Sequence, residues 1–222
     1  MNDLMYLVIL IIPLIAQVYV SSRYKKYVKK ENFKKISGYD VARKILDNNA
    51  LNSLYIVEIK GEMSDHYDPT RKTVKLSSNV FHGTSVASIA IAAHECGHAI
   101  QDKEAYLFLK IRSLIFPIVN LGTKFAYAVL MLGLILQYLG LIVLAIILVS
   151  LGLLFQLVTL PVEINASKRA LVELEKLELL EDNDSDGVKS MLKAAAYTYV
   201  AGVLASALEI IRLIKIFVVD ND

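Results

Sequence analysis

Apolar positions in this chain follow two different rhythms. Residues 4–20, "LMYLVILIIPLIAQVYV", carry no charge at all, and 17 residues is the short end of what crosses a hydrocarbon core as a helix. Residues 113–162 contain one charged residue, Lys124, and are long enough for two crossings joined by a turn, which divides the run most evenly near "QYLG" at 137–140. A third run, "AAAYTYVAGVLASALEIIRLIKIFVV", is rich in small residues up to Leu208, as in packed membrane helices. Glu209, Arg212 and Lys215 then recur every three residues and form a polar stripe. That pattern suits an interfacial helix as well as a fourth span.

Between these runs the pattern becomes mixed. "SGYDVARKILDNNAL" places Val41, Ile45 and Leu46 at helical spacing behind an Asp40 cap. "LYIVEI" and "KTVKLS" read as strands on either side of the turn-rich "KGEMSDHYDPTR". Residues 79–84 form a polar junction, after which Thr84 or Ser85 caps a helix through "SVASIAIAAHECGHAIQD". These readings describe one domain over 1–222. It comprises a first membrane helix at 4–20, a water-facing part at 21–112 and a transmembrane hairpin at 113–162. A polar helix at 163–187 follows, and 188–222 is membrane-associated or a fourth span.

Composition agrees with a membrane protein: 55% of the 222 residues are hydrophobic and the mean hydropathy is +0.50. Charge then sets an orientation. Arg23, Lys25, Lys26, Lys29, Lys30, Lys34 and Lys35 follow the first run, while Asp3 precedes it. A cleaved leader has the reverse arrangement, so this run reads as an anchor. Basic residues also flank 113–162 on both sides (Lys103, Lys110 and Arg112; Lys168 and Arg169), which puts 21–112 and 163–187 in the cytoplasm. A net charge of +2 excludes a nucleic-acid binder. The single cysteine excludes an internal disulfide framework.

The chemistry is concentrated in "AIAAHECGHAIQD". On a helix, His94 and His98 lie about 40° apart in projection, one turn above the other, with Glu95 to the side. Two imidazoles and a carboxylate in that order suit a metal ion with an adjacent proton acceptor. Ala90, Ala92, Ala93, Gly97 and Ala99 keep the helix thin enough for another element to approach, and Cys96 points away as a small filler. A third ligand is needed, and no histidine follows His98. His66 and His82 are better explained as loop residues. Asp102 and Glu104 lie where the helix ends, and Glu173, Glu175, Glu178 and Glu181 read as a solvated face. Glu163 differs: it follows the hairpin directly in "LPVEINASKRAL", with Pro161 placed as at a helix start and Ala166, Ser167 and Ala170 on the same face. Its rival role is a surface ion pair with Lys168 or Arg169.

"HYDP" followed by "VKLS", then "AAHECGHAIQ" and "LPVEINASKRAL", in this order among these apolar segments, resembles the bacterial membrane-bound neutral zinc metallopeptidases of the YugP-like type. The resemblance covers nearly the whole chain. It implies a mainly α fold with a small α+β zincin-like unit and about three to four membrane helices. It also implies a gluzincin-type peptidase carrying one Zn²⁺ per chain on His94, His98 and Glu163. A zinc-activated water would hydrolyse peptide bonds with Glu95 as general base. Expected partners are a peptide or protein substrate, membrane proteins included, and the lipid bilayer of a bacterial cell membrane, with the site on the cytoplasmic side. Related membrane gluzincins carry an aspartate four residues after the ligand glutamate, where this chain has Ser167. Arg169, Tyr197 and Tyr199 are candidates to stabilise the oxyanion, and "KTVKLS" is a candidate edge for an extended substrate. The rival readings are a membrane scaffold or regulatory protein with a structural or silent zinc site, and a metal-transport subunit. The apolar spans, nearly devoid of ligand residues, speak against transport.

Overall fold

The computed structural model describes residues 2–219; residue 1 and the end of the 188–222 segment, 220–222, lie outside the described residues. The chain is mainly helical with one small mixed sheet. In chain order the elements are α1 (Asn2–Tyr27), α2 (Gly38–Asn48), β1 (Tyr55–Ile59), β2 (His66–Asp68), β3 (Thr73–Ser77) and α3 (Ser78–Phe81). They continue with α4 (Val86–Lys103), α5 (Leu107–Ile135), α6 (Leu139–Lys176), α7 (Asp182–Ile214) and a π-helical turn, Lys215–Val219. Among the described residues, three helical stretches are long and apolar enough to cross a membrane: Leu4–Tyr27, Leu107–Ile135 and Leu139–Lys176. Contacts divide the chain into two compact units.

One unit comprises residues 18–109 and 162–196. Its α2 is amphipathic, with Val41, Ala42, Ile45 and Leu46 inward and Asp40, Lys44 and Asp47 toward water. The cap is Ser37, whose side chain accepts from Asp40 N–H. Asp40, the cap expected from sequence, sits instead in the first turn, where a negative charge favours the helix dipole. Gly38 has no room for a side chain, since a Cβ there would lie 2.2 Å from the Val80 carbonyl oxygen. Helix α4 is buried on nearly every side and capped by Ser85, as befits a helix at the centre of a packed unit. Val41, Ile45, Leu46, Val74, Leu76, Ile89, Leu174 and Val188 are among the side chains closing the core around it.

The sheet runs β1-β3-β2. β1 is parallel to β3 in the register Tyr55↔Thr73 through Ile59↔Ser77, and β2 is antiparallel to it from His66↔Lys75 to Asp68↔Thr73. "KTVKLS" is therefore the central strand, with both backbone edges taken, and the expectation that it offers a free edge to substrate is overturned. The third strand, "HYD", falls inside the stretch read as turns. It is secured by Asp65, whose carboxylate accepts from Ser77 N–H at 2.7 Å, and by Asp68, which accepts from Lys75 Nζ at 3.0 Å.

The other unit takes residues 2–17, 110–161 and 197–219 of the described chain. Helices α5 and α6 reverse at Gln137, whose φ of 50° is left-handed, and Tyr138 N–H donates to the Gly133 carbonyl. Leu114, Ile118, Leu121, Phe125 and Ile135 project outward, an apolar surface suited to lipid. Helix α6 passes Pro161 without a break, so the helix start expected there is absent. Proline is tolerated inside membrane helices because neighbouring groups re-satisfy the freed carbonyl.

Candidate metal centre

Three side chains of the first-described unit converge. His94 and His98 come from successive turns of α4, and Glu163 from α6, 65 residues beyond His98 in sequence. One ligand atom from each lies within 4.8 Å of the others. His94 Nε2 is 3.2 Å from Glu163 Oε2, and His98 Nε2 is 3.5 Å from the same oxygen. The imidazole rings stand edge to face, 4.8 Å between centroids and 85° between planes. Their side chains are 12% and 10% exposed and that of Glu163 is 6% exposed, so the group is shielded but not sealed.

The helices meet here because neither has bulk at the contact. A Cβ on Gly97 would lie 2.4 Å from the Ala166 carbonyl oxygen. Ala166 and Ala170 are fully buried.

Proton positions around His98 follow from its neighbours. Gln101 Nε2 donates to the Val162 carbonyl at 2.8 Å and to Asn165 Oδ1 at 2.9 Å. A carbonyl only accepts, so the amide nitrogen must face it and Gln101 Oε1 must face His98 Nδ1, 3.0 Å away. Nδ1 therefore carries a hydrogen, and in the neutral imidazole Nε2 is the lone-pair nitrogen facing the Glu163 carboxylate. Two acceptors at 3.5 Å repel unless a cation or proton lies between them. The donor set, two imidazole nitrogens and a carboxylate oxygen, is that of a zinc site with room for a further ligand. His94 has its own support, Ser167 Oγ at 3.2 Å from Nδ1. Ser167 thus supports His94 from the position four residues after Glu163.

Glu95 sits beside this group without joining it. Its carboxylate is buried and accepts from Tyr67 N–H on β2 at 2.9 Å. Burial pushes its pKa up to about 7, and the charges of Glu163 and Asp65 act the same way against the opposing pull of His94 and the Tyr67 N–H. A carboxyl group that titrates near neutrality is suited to taking and returning protons.

The other sequence candidates are engaged elsewhere. His66 Nδ1 contacts the Ser64 carbonyl, and His82 pairs with Glu58. Asp102 accepts from Tyr67 Oη at 2.6 Å and from Lys72. Glu104 pairs with Arg169 at 2.6 Å, and Arg169 also donates to Asn165. Glu173 is not on a solvated face: it is buried and accepts from Asn48 and Asn49 at the end of α2. Glu175, Glu178 and Glu181 are exposed. Cys96 is fully buried against the Ala42 carbonyl. Tyr197 and Tyr199 belong to the other unit. Sequence reasoning missed Gln101 and Tyr67. The signal for Gln101 was present: with His94 and His98 it completes an i, i+4, i+7 face on a helix otherwise short of polar residues.

Comparison with known proteins agrees with this chemistry. The family described as "Putative neutral zinc metallopeptidase" matches residues 3–218. "Putative membrane protease YugP" of Bacillus subtilis (strain 168) is 43% identical over 207 residues, covering 93% of this chain and 92% of its own length. No solved structure matches.

Proposed function

The chain belongs to the neutral zinc metallopeptidase family, and from that membership and the converging ligand set we propose that it is a membrane-bound zinc metalloendopeptidase of gluzincin type. The observation that carries the reading is the convergence of two imidazoles on a buried carboxylate, with His98 Nδ1 held by Gln101 and Nε2 turned to Glu163, and a base of near-neutral pKa alongside. His94, His98 and Glu163 would hold the ion. Zn²⁺ bound there supplies a Lewis acid that brings the pKa of a water molecule toward neutrality and polarises a peptide carbonyl.

The chain's own residues account for the proton traffic. Glu95 Oε2 is held by Tyr67 N–H, which leaves Oε1 to accept a proton from the attacking water. The same oxygen then passes the proton to the departing amine nitrogen as the C–N bond breaks. Because Tyr67 belongs to β2, the strand bordering Glu95 is β2 and not β3. An extended peptide laid along β2 would present its backbone to the base with little demand on its side chains. The substrate is a peptide or protein, membrane proteins included. The basic clusters around 21–112 and after 162 support a cytoplasmic site.

The test combines metal content with turnover in detergent-purified protein. Wild type should carry about one zinc per chain. Glu163→Ala should lose the metal, whereas Glu95→Gln should keep it and hydrolyse a fluorogenic casein at no more than about a hundredth of the wild-type rate. Zinc retained in all three proteins without hydrolysis by wild type would favour a scaffold with a structural metal. Undiminished hydrolysis by Glu95→Gln would remove the base assigned here.

A further inference from the structure

We propose that Gln101 is a positioning residue for the metal centre, one buried amide that fixes the tautomer of His98 and ties it to the segment of α6 bearing Glu163. The inference rests on the zinc-site reading above. Gln101 is fully buried and three of its four hydrogen-bonding positions are used. Its oxygen accepts from His98 Nδ1, and its two N–H groups reach the Val162 carbonyl and Asn165 Oδ1. Val162 is the residue immediately before Glu163, so the amide spans both ligand-bearing helices.

The contact continues outward through charge. Asn165 Oδ1 also accepts from Arg169 Nε at 2.7 Å, and Arg169 is paired with Glu104 at the end of α4. With one lone pair occupied by Gln101 and the other by Arg169, Asn165 cannot turn its amide over without losing both bonds. That fixes Gln101, and Gln101 fixes the imidazole. The path Glu104, Arg169, Asn165, Gln101, His98 thus leaves α4, crosses to α6 and returns to α4. Without Gln101 Oε1, the most attractive acceptor left to the His98 ring is the Glu163 carboxylate. The proton would then move to Nε2, the atom needed as a ligand, and each metal-binding event would have to expel it. Losing such a supporting hydrogen bond weakens metal binding by roughly 10–100-fold in other zinc proteins.

The experiment uses the full chain in detergent, with wild type, Gln101→Met and Gln101→Glu compared by two readouts. The first is zinc affinity by competition with a chromophoric chelator. The second is the ¹⁵N spectrum of metal-free protein labelled at histidine, recorded near pH 8.5, whose shifts separate the imidazolium from either neutral tautomer; with four histidines in the chain the tautomers can be assigned individually. Wild-type His98 is expected as the Nδ1–H form. Gln101→Met should shift it toward Nε2–H and weaken zinc binding about 10–100-fold, while Cys96 stays protected from a thiol reagent, showing the unit still folded. Gln101→Glu keeps an acceptor facing Nδ1, so it should hold the Nδ1–H form, while its second oxygen, facing two acceptors in place of an N–H, loosens the tie to α6. If His98 is Nε2–H in wild type, or unchanged in folded Gln101→Met, or if zinc affinity in that variant stays within twofold, the proposal is overturned. Wild type that binds no zinc would instead defeat the metal-site reading, while the tautomer measurement would still decide what Gln101 does.

Discussion

At the scale of single residues, burial changes the acid–base chemistry of Glu95. Its pKa of about 7 lies above the 4.5 of an ordinary glutamate, so the folded chain holds this proton more tightly than the unfolded chain does. Stability from protonated Glu95 is therefore complete below the unfolded value and is lost as pH rises through about 7. Glu95→Gln has no charge to bury. In metal-free protein the mutant should gain on wild type as pH rises from 5 to 7, by an amount on the order of 1–3 kcal/mol, and the gap should then level off. Cys96 supplies the readout, because it is the chain's one cysteine and fully buried: a thiol-reactive dye reports when the unit opens. A mutant advantage of constant size at every pH would show that Glu95 is not buried against its charge.

At the scale of elements, the centre depends on how closely α4 approaches α6, and Gly97 sets that distance. A methyl group there meets the carbonyl of Ala166 at 2.4 Å, and backbone cannot rotate aside as a side chain can. Gly97→Ala should force the helices apart and weaken zinc binding at least about tenfold, with a stability loss of roughly 1–3 kcal/mol. Gly152→Ala is the control. Its Cβ would meet only the Thr123 methyl at 3.3 Å, and zinc binding should stay at the wild-type level. Unweakened zinc binding by Gly97→Ala would mean that the approach of these helices does not govern the site. This dependence was legible in sequence, because alanines and a glycine beside two histidines on one helix, and small residues beside Glu163 on another, describe two surfaces made to touch. What could not be read has physical reasons. β2 is three residues long, too short to show alternation, and it exists because Asp68 and Asp65 bond to β3, 7 and 12 residues on, and Tyr67 to Glu95, 28 residues on. Pro161 announces a helix start in water but not within a helix that continues out of an apolar run. The role of Gln101 depends on Val162 and Asn165, which no local pattern brings near it.

At the scale of the whole molecule, the open question is α7. Its residues 197–214 pack in the unit otherwise built from the apolar parts of α1, α5 and α6, and 197–219 as a helix is about 35 Å long, enough to cross a hydrocarbon core. Three charges argue against a span, but two of them cancel. Arg212 donates to both oxygens of Glu209 at 2.8 and 2.7 Å, Tyr127 Oη adds a bond to Glu209 at 3.4 Å, and the guanidinium lies 5.3 Å from the centre of the Tyr6 ring. Paired, protein-facing charges of this kind are the ones membrane helices tolerate, and Lys215 is close enough to the helix end to reach the interface. We therefore expect a fourth crossing, with the π-helical turn on the side opposite the metal centre. Single cysteines introduced as Lys60→Cys, Tyr138→Cys and Lys215→Cys in a Cys96→Ala background would report this with an impermeant maleimide on intact cells. Tyr138→Cys and Lys215→Cys should label from outside, and Lys60→Cys only after the membrane is opened. Lys215→Cys protected alongside Lys60→Cys would make the end of α7 an interfacial helix on the cytoplasmic face. Lys60→Cys labelled from outside would reverse the orientation that the basic clusters imply and put the candidate metal centre on the opposite side of the membrane.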